Sequence, residues 1–321
     1  MLLAIRNLHI GFRSDHGLVP AVRGVDLQLE RGRVLGLVGE SGCGKSVTSL
    51  AVMGLLPQPN AQVTAGEILF NQQDLLALDA EAMRAIRGND ISMIFQEPMT
   101  ALNPVFRIGE QIGEVLEEHQ QLPLRSADNR RRVIELLQLV RIPRAEKLVG
   151  EYPHQLSGGM CQRVMIAMAL AFHPAFVVAD EPIAALDVSI QAQILTLMQE
   201  LKEQLQLTYL FISHDLGVVR YFCDRVAVMY LGSFVETGSS DQLFASPRHP
   251  YTQAMLSAMP SIDQATRAER IILQGSVPSP ANPLPGCKFH TRCPQAKPEC
   301  SQHTPPLREL APGHSVACHL V

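Results

Sequence analysis

An α/β fold is predicted for this 321-residue chain, and three observations predict it. Short apolar runs over residues 34–38, 91–95, 176–179 and 209–212 read as buried strands. Helical segments lie between them, over 108–119 and 130–140 by apolar spacing of three and four, and over 190–205. Each of these strands then runs into polar residues: a glycine-rich stretch after residue 38, Gln96, the pair Asp180 and Glu181, and His214. Open α/β sheets bind ligands at the carboxyl ends of their strands, so these polar ends are read together.

The first strand end carries the most specific pattern. Gly39, Glu40, Ser41, Gly42, Cys43, Gly44, Lys45 and Ser46 spell G-x-x-x-x-G-K-S, the phosphate-binding P-loop. A helix is predicted after it over 47–56, free of internal proline and ended by Pro57. Glycines let the backbone turn tightly, so that successive N–H groups point inward at phosphate oxygens. Lys45 then reaches the β- and γ-phosphates, and the Ser46 hydroxyl is placed to ligate Mg²⁺. The helix N-terminus adds partial positive charge. The bland alternative is a glycine-rich turn that binds nothing; the strand before and the helix after argue against it.

Length gives room for one large domain or two smaller ones with a substantial core. Hydrophobic residues make up 46% and charged residues 18%, as in folded proteins. A net charge of −4 gives no basic bias towards nucleic acid as a main partner. No apolar stretch approaches the roughly 18 residues of a membrane span, and the longest, 164–172, has buried-helix length. The N-terminus lacks the charged and apolar regions of a signal peptide. The chain is therefore expected in the cytoplasm, with any membrane role exercised through a partner.

Taken in order, residues 2–38 read as β-rich, with a strand over 3–10, a turn at 15–17 and period-two alternation over 25–29. Phe12 reads from composition as a core aromatic at a strand end, with stacking on a purine as the alternative. A strand is expected over 67–70 and an amphipathic segment over 75–87. Residues 97–165 read as a helical insertion in the α/β core, and the run Arg130, Arg131 and Arg132 as a solvated helix face. Leu156, Ser157, Gly158, Gly159 and Met160 open a helix predicted over 161–172. Serine and two glycines there make a second anion-binding geometry, against the alternative of a plain N-cap. Two carboxylates at the end of the 176–179 strand need partners, which Mg²⁺ on Asp180 and a water on Glu181 would supply. Asp187 precedes the 190–205 helix. A closing hairpin is expected over 226–236, and near residues 239–241 the composition shifts to proline and histidine, with helical periodicity surviving near 251–259.

The ordered set of P-loop, Gln96, LSGGM, FVVADE, ALD and His214 resembles the ATP-binding subunits of ABC transporters. Beyond it, the segments SPRHPYT, VPSP and GCKFHTRCP resemble the C-terminal region of dipeptide, oligopeptide and nickel importer ATPases. The resemblance thus implies an ABC ATP-binding domain over 1–240, with a β subdomain and an inserted helical subdomain over about 97–165, and an importer-type extension over 241–321. It implies that Phe12 stacks on adenine, that residues 39–46 wrap the phosphates, and that Ser46, Gln96 and Asp180 serve Mg²⁺. Gln96 would also sense the γ-phosphate and face the membrane subunits; Glu181 would polarise the attacking water and His214 contact the γ-phosphate. Ser157, Gly158 and Gly159 would serve the nucleotide of a second, opposing ATPase subunit, a related chain more readily than an identical one, and Asp187 would belong to the nucleotide-binding residues. Further implied partners are two integral-membrane permeases and, indirectly, an extracytoplasmic solute-binding protein, with the chain on the cytoplasmic face of the membrane. The cargo implied is a di- or oligopeptide, with nickel or another small solute as the alternative. Non-transport relatives of DNA repair and translation carry long coiled coils or two cassettes per chain, which this sequence lacks. Three departures stand out: Met160 for the commoner Gln, Cys161 where this branch usually has Arg, and Ile183 with Ala184 for the usual Thr pair. Cys161 bears on the contact across the dimer.

Of seven cysteines, Cys43, Cys161 and Cys223 are scattered, whereas Cys287, Cys293, Cys300 and Cys318 crowd the last tenth of the chain. In a reducing compartment such a group suggests metal before disulfides. Zinc sites usually pair their cysteines two to four residues apart, which is not the spacing here. Four cysteines can hold an iron–sulfur cluster, and the importer ATPases resembled include members with a four-iron–four-sulfur cluster at such a tail. Zinc, kept open by His290, His303 and His314, and unliganded thiols are the alternatives.

Overall fold

The computed structural model describes residues 1–15, 17–120, 122–259 and 270–321. The chain opens with a long hairpin, β1 (Leu3–Ser14) and β2 (Gly17–Leu29); of the turn expected at 15–17, His16 lies outside the described residues. β3 (Val34–Val38) leads through the glycine-rich loop into α1 (Lys45–Val52), and β4 (Ala61–Phe70) and β5 (Gln73–Asp74) follow. After α2 (Ala80–Ile86) and β6 (Ile91–Ile94) come five helices: α3 (Pro98–Ala101), α4 (Ile108–Gln120), α5 (Ala127–Leu139), α6 (Ala145–Leu148) and α7 (Gly158–Ala169). β7 (Phe176–Asp180), α8 (Val188–Leu205), β8 (Thr208–Ile212), α9 (Leu216–Phe222), β9 (Arg225–Tyr230) and β10 (Ser233–Ser239) complete the α/β part. The extension contributes α10 (Ser240–Ala245), α11 (Pro250–Ser257), β11 (Arg308–Ala311) and β12 (His314–Val316).

Two sheets result. An antiparallel sheet has the order β2-β1-β4-β5, and an eight-stranded sheet the order β11-β12-β10-β9-β3-β8-β7-β6. From β9 to β6 the neighbours run parallel. The parallel strands explain their own sequences. In β3, Val34 and Val38 face one core while Leu35 and Leu37 face the other. In β8, Tyr209 and Phe211 likewise oppose Leu210 and Ile212. A strand buried on both faces has no polar position, so the apolar runs are continuous where β2 alternates. One core lies towards the antiparallel sheet and the other beneath the helical insertion. The expected helical block is thus seen, and Arg131 and Arg132 pair with Asp128 and Glu135 along α5.

Among the helix boundaries that differ from expectation, three have plain local reasons. α1 stops at Val52 because Gly54 takes a left-handed φ of 61° and the amides of Gly54 and Leu55 return to Ala51 and Leu50. α7 starts at Gly158, since the Ser157 hydroxyl accepts from the Met160 N–H at 3.4 Å. The segment 75–87 is broken into a short 3₁₀ turn and α2, whose start Asp79 caps through the Ala82 N–H at 2.8 Å.

The extension shares the core of the rest. Tyr251 and Phe289 belong to the larger apolar core, and β12 pairs with β10. At that junction Glu236, fully buried, accepts hydrogen bonds from the Arg248 and His249 N–H groups at 2.8 and 2.9 Å and contacts His314 Nε2 at 2.8 Å. A buried carboxylate is tolerated where it has this many partners.

Candidate functional site

The strand order β3-β8-β7-β6 sets four carboxyl ends side by side, and these are the ends that carry the P-loop, His214, Asp180 with Glu181, and Gln96. The topology therefore gathers on one edge what the sequence spreads over more than half its length.

The loop itself is tightly built. Gly39 has φ 153°, and a Cβ there would lie 2.2 Å from the Met229 carbonyl oxygen. Gly44 caps α1 at φ 110°; no side chain caps this helix and no acid stands in its first turn. Its first N–H groups are therefore open to an anion. Lys45 is 6% exposed, and its ammonium is held inside the loop by the carbonyls of Gly39 at 2.8 Å and Glu40 at 3.1 Å. Cys43 is buried beside it, and burial pushes its thiol up against the pull of Lys45. Ser41 and Gly42 are exposed at the apex.

Ser46 donates its hydroxyl hydrogen to Asp180 Oδ1 at 3.2 Å. Burial pushes the Asp180 carboxyl up, Ser46 and Lys45 offset part of that rise, and Glu181 adds to it. A buried acid held above its ordinary range beside a hydroxyl suits a hard cation, and Mg²⁺ needs only one or two such protein oxygens besides phosphate and water. Ser46 and Asp180 fit that ion. Gln96 Nε2 donates to Glu181 Oε2 at 3.0 Å and His214 Nδ1 lies 3.1 Å from the same oxygen. Gln96, Glu181 and His214 thus meet as one cluster beside Asp180. An open groove of about 520 Å³ runs past Asp180 and Gln96, lined by Phe95, Glu97 and Thr100 among others.

Other expected residues lie elsewhere. Phe12 is half-buried on β1 and belongs to neither apolar core, so the core-aromatic reading does not hold. Ser157 and Gly158 are exposed at the start of α7, and Asp187 is exposed before α8. Cys161 is fully buried, its thiol 3.5 Å from the Pro153 carbonyl, and so presents no surface to a partner. Ile183 is buried and Ala184 exposed.

All seven cysteines are free. Burial pushes the thiols of Cys287, Cys293 and Cys318 up, and neighbouring cysteines of the tail raise each of them further. The Cys287 amide also donates to the Cys300 carbonyl at 2.7 Å. That bond brings Cys287 and Cys300 together. Among the described residues, however, no three His, Cys, Asp or Glu are grouped to share a metal ion. His314, one of the histidines that kept zinc open, is committed to Glu236.

Sequence reading missed the partners of Glu40. Its carboxylate accepts from both terminal nitrogens of Arg292, at 2.7 and 3.1 Å, and its N–H donates to the Tyr251 hydroxyl at 2.9 Å. Arg292 is 252 residues away, and no local pattern announces it.

Comparison with known proteins bears on these findings. A family model described as ABC transporter matches residues 22–184, and one described as the C-terminal region of oligopeptide/dipeptide transporters matches residues 235–300. The dipeptide transport ATP-binding protein DppD of Bacillus subtilis is 47% identical over 99% of this chain and 94% of its own length. The oligopeptide transport ATP-binding protein OppD of the same organism is 47% identical over 100% of this chain and 89% of its own. Among solved structures, the ATP-binding cassette MJ0796, a dimer in a post-hydrolysis state bound to ADP and Pi, superposes with a TM-score of 0.66 at 28% identity. That match covers 74% of this chain and 99% of MJ0796. CbiO1 of Clostridium perfringens, part of the transporter complex cbiONQ, matches with a TM-score of 0.64 at 27% identity, over 76% of this chain and 91% of its own.

Proposed function

The chain belongs to the ATP-binding subunits of ABC transporters, and from that premise we propose that it hydrolyses ATP to drive the import of di- or oligopeptides. The observation that carries the peptide reading is the extension: residues 235–300 match the oligopeptide/dipeptide transporter C-terminal region, and the chain beyond them returns as β12 to pair with β10 at the start of that match. Similarity to DppD and OppD over the whole chain supports the same cargo class.

In this reading residues 39–46 wrap the phosphates, with Lys45 on the β- and γ-phosphates. Ser46 and Asp180 would hold Mg²⁺, with Gln96 beside them, and the bound ion would supply charge neutralisation to the phosphate oxygens. Glu181 orients the attacking water, His214 contacts the γ-phosphate, and Phe12 lies against the adenine. The rest is positioning and charge stabilisation of a phosphoryl transfer to water. Ser157 and Gly158 are exposed and Gly159 is half-buried beside them, a placement that supports their completing the site of an opposing subunit. We place that subunit as a related second chain, forming a dimer like that of MJ0796. Two permeases dock on the face marked by the exposed Phe95, Met99, Val105 and Phe106, next to Gln96. None of the described helices is long and apolar enough to cross a membrane, so attachment to the cytoplasmic face runs through those permeases, with a solute-binding protein acting at one remove.

For the tail, we propose a four-iron–four-sulfur cluster on Cys287, Cys293, Cys300 and Cys318, serving as a structural staple. What supports this is the set of four free cysteines in one segment, a ligand number that suits such a cluster, two of which the Cys287 N–H to Cys300 carbonyl bond brings together. Purification of the native complex tests the whole reading. It is expected to yield two ATPase chains, two multi-span permeases, peptide-stimulated ATP hydrolysis, and iron with acid-labile sulfide. A chain isolated without permeases refutes the transport role; stoichiometric zinc without iron refutes the cluster.

A further inference from the structure

Glu40 is the second residue of the P-loop, where the G-x-x-x-x-G-K-S pattern accepts any side chain. In the structure every polar group it owns is engaged. Its carbonyl takes Lys45, its N–H goes to the Tyr251 hydroxyl, and its carboxylate lies in the fork of Arg292. Two of these three partners come from the extension. Arg292 is itself fixed: it is 8% exposed, its Nη1 lies 3.4 Å from the Tyr230 hydroxyl, and its guanidinium stands 6.0 Å from that ring's centre. Tyr230, Tyr251 and Phe289 pack with ring centres 4.7 to 5.4 Å apart, so the anchor is a rigid aromatic block.

The electrostatics give this contact a function. A carboxylate at the mouth of an anion site opposes phosphate, and the opposition strengthens where water is partly excluded. A bidentate guanidinium cancels that charge and fixes its direction. The bond to Tyr251 removes the Glu40 N–H from the set that faces the ligand, leaving the later N–H groups of the loop for the phosphates. Burial keeps the Tyr251 phenol protonated.

We propose that Arg292 and Tyr251 of the C-terminal extension are positioning residues of the ATP site, holding the P-loop through Glu40 and neutralising its charge. The proposal rests on the reading of this loop as the ATP site. It makes the extension a working part of the nucleotide pocket as well as a mark of the importer branch.

The test uses the full chain in its native complex and reads KM for ATP separately from kcat. Arg292→Gln, which strands the Glu40 charge, is expected to raise KM about tenfold while kcat stays within roughly twofold. Arg292→Lys, which keeps the charge and loses the fork, is expected to fall between. Adding Glu40→Gln to Arg292→Gln removes the stranded charge and is expected to recover most of the lost affinity, an offset that general loosening of the fold would not give. Tyr251→Phe keeps the ring and is expected to speed amide exchange at Glu40. Arg292→Gln with wild-type KM, or a double variant weaker than Arg292→Gln, overturns the proposal. A wild-type chain that binds no ATP overturns the ATPase reading instead, so the two failures are distinct.

Discussion

Nδ1 of His214 stands 3.1 Å from Oε2 of Glu181, joining the ends of two neighbouring parallel strands through one carboxylate oxygen. Gln96, from the next strand, donates to the same oxygen at 3.0 Å. An acceptor carboxylate places the imidazole proton on Nδ1 and leaves Nε2 to face outward. Glu181 reaches this position with φ 45°, a left-handed backbone that a non-glycine residue adopts only under constraint. The constraint is its own N–H, which bonds the Ile212 carbonyl at 3.0 Å and extends the ladder past β7. No described residue hydrogen-bonds Oε1. One oxygen is therefore held by two side chains, and the other is free to take a proton from water.

Glu181→Gln keeps the shape and the contacts to Gln96 and His214 while losing the base. It is expected to bind ATP with near wild-type affinity and to hydrolyse it at least about a hundredfold more slowly, as for removal of a general base. Single-turnover hydrolysis beside an equilibrium binding measurement checks this, and near-normal turnover would remove Glu181 from the role.

Gly39→Ala tests the loop by geometry alone. The added Cβ would sit 2.2 Å from the Met229 carbonyl oxygen and 2.7 Å from Cys43 Sγ, at a φ that L-residues avoid. Backbone must shift, and with it the Gly39 carbonyl that holds Lys45. ATP affinity is expected to fall at least about tenfold, with unchanged far-ultraviolet circular dichroism, because strain of this kind stays local and is worth about 1–3 kcal/mol. A variant with wild-type affinity would show that the loop carries no such constraint.

The site was largely legible in the sequence because its physics is local. Burial on both faces turns β3, β7 and β8 into unbroken apolar runs, so Gly39, Asp180 and the residues around His214 stand out as the places where each run stops. What was illegible depends on distance in the chain. Arg292 lies among cysteines and prolines and reads as part of a polar tail, yet it reaches Glu40. Glu236 and His314 are 78 residues apart and form a buried pair that neither neighbourhood suggests. Cys161 reads as part of a dimer contact because it directly follows the LSGGM stretch, but the helical rotation of α7 turns it fully into the core.

His249 makes the seating of the extension pH-dependent. It is 1% exposed, its ring lies 5.7 Å from Phe289, and its Nδ1 accepts the Tyr251 N–H at 3.1 Å, capping the helix that carries the Tyr251 hydroxyl to the P-loop. Burial lowers its pKa from the ordinary 6.5 to about 4. Between those values the unfolded chain binds a proton that the folded chain refuses, so stability falls as pH drops through this window and is whole above it. The difference is worth roughly 3 kcal/mol at its fullest. His249→Asn keeps a capping acceptor and does not titrate. Hydrogen exchange at Tyr251 and its neighbours, followed from pH 7 to 4, is expected to lose protection steeply in the wild type and much less in the variant. Equal slopes in the two proteins would assign the acid sensitivity to another group.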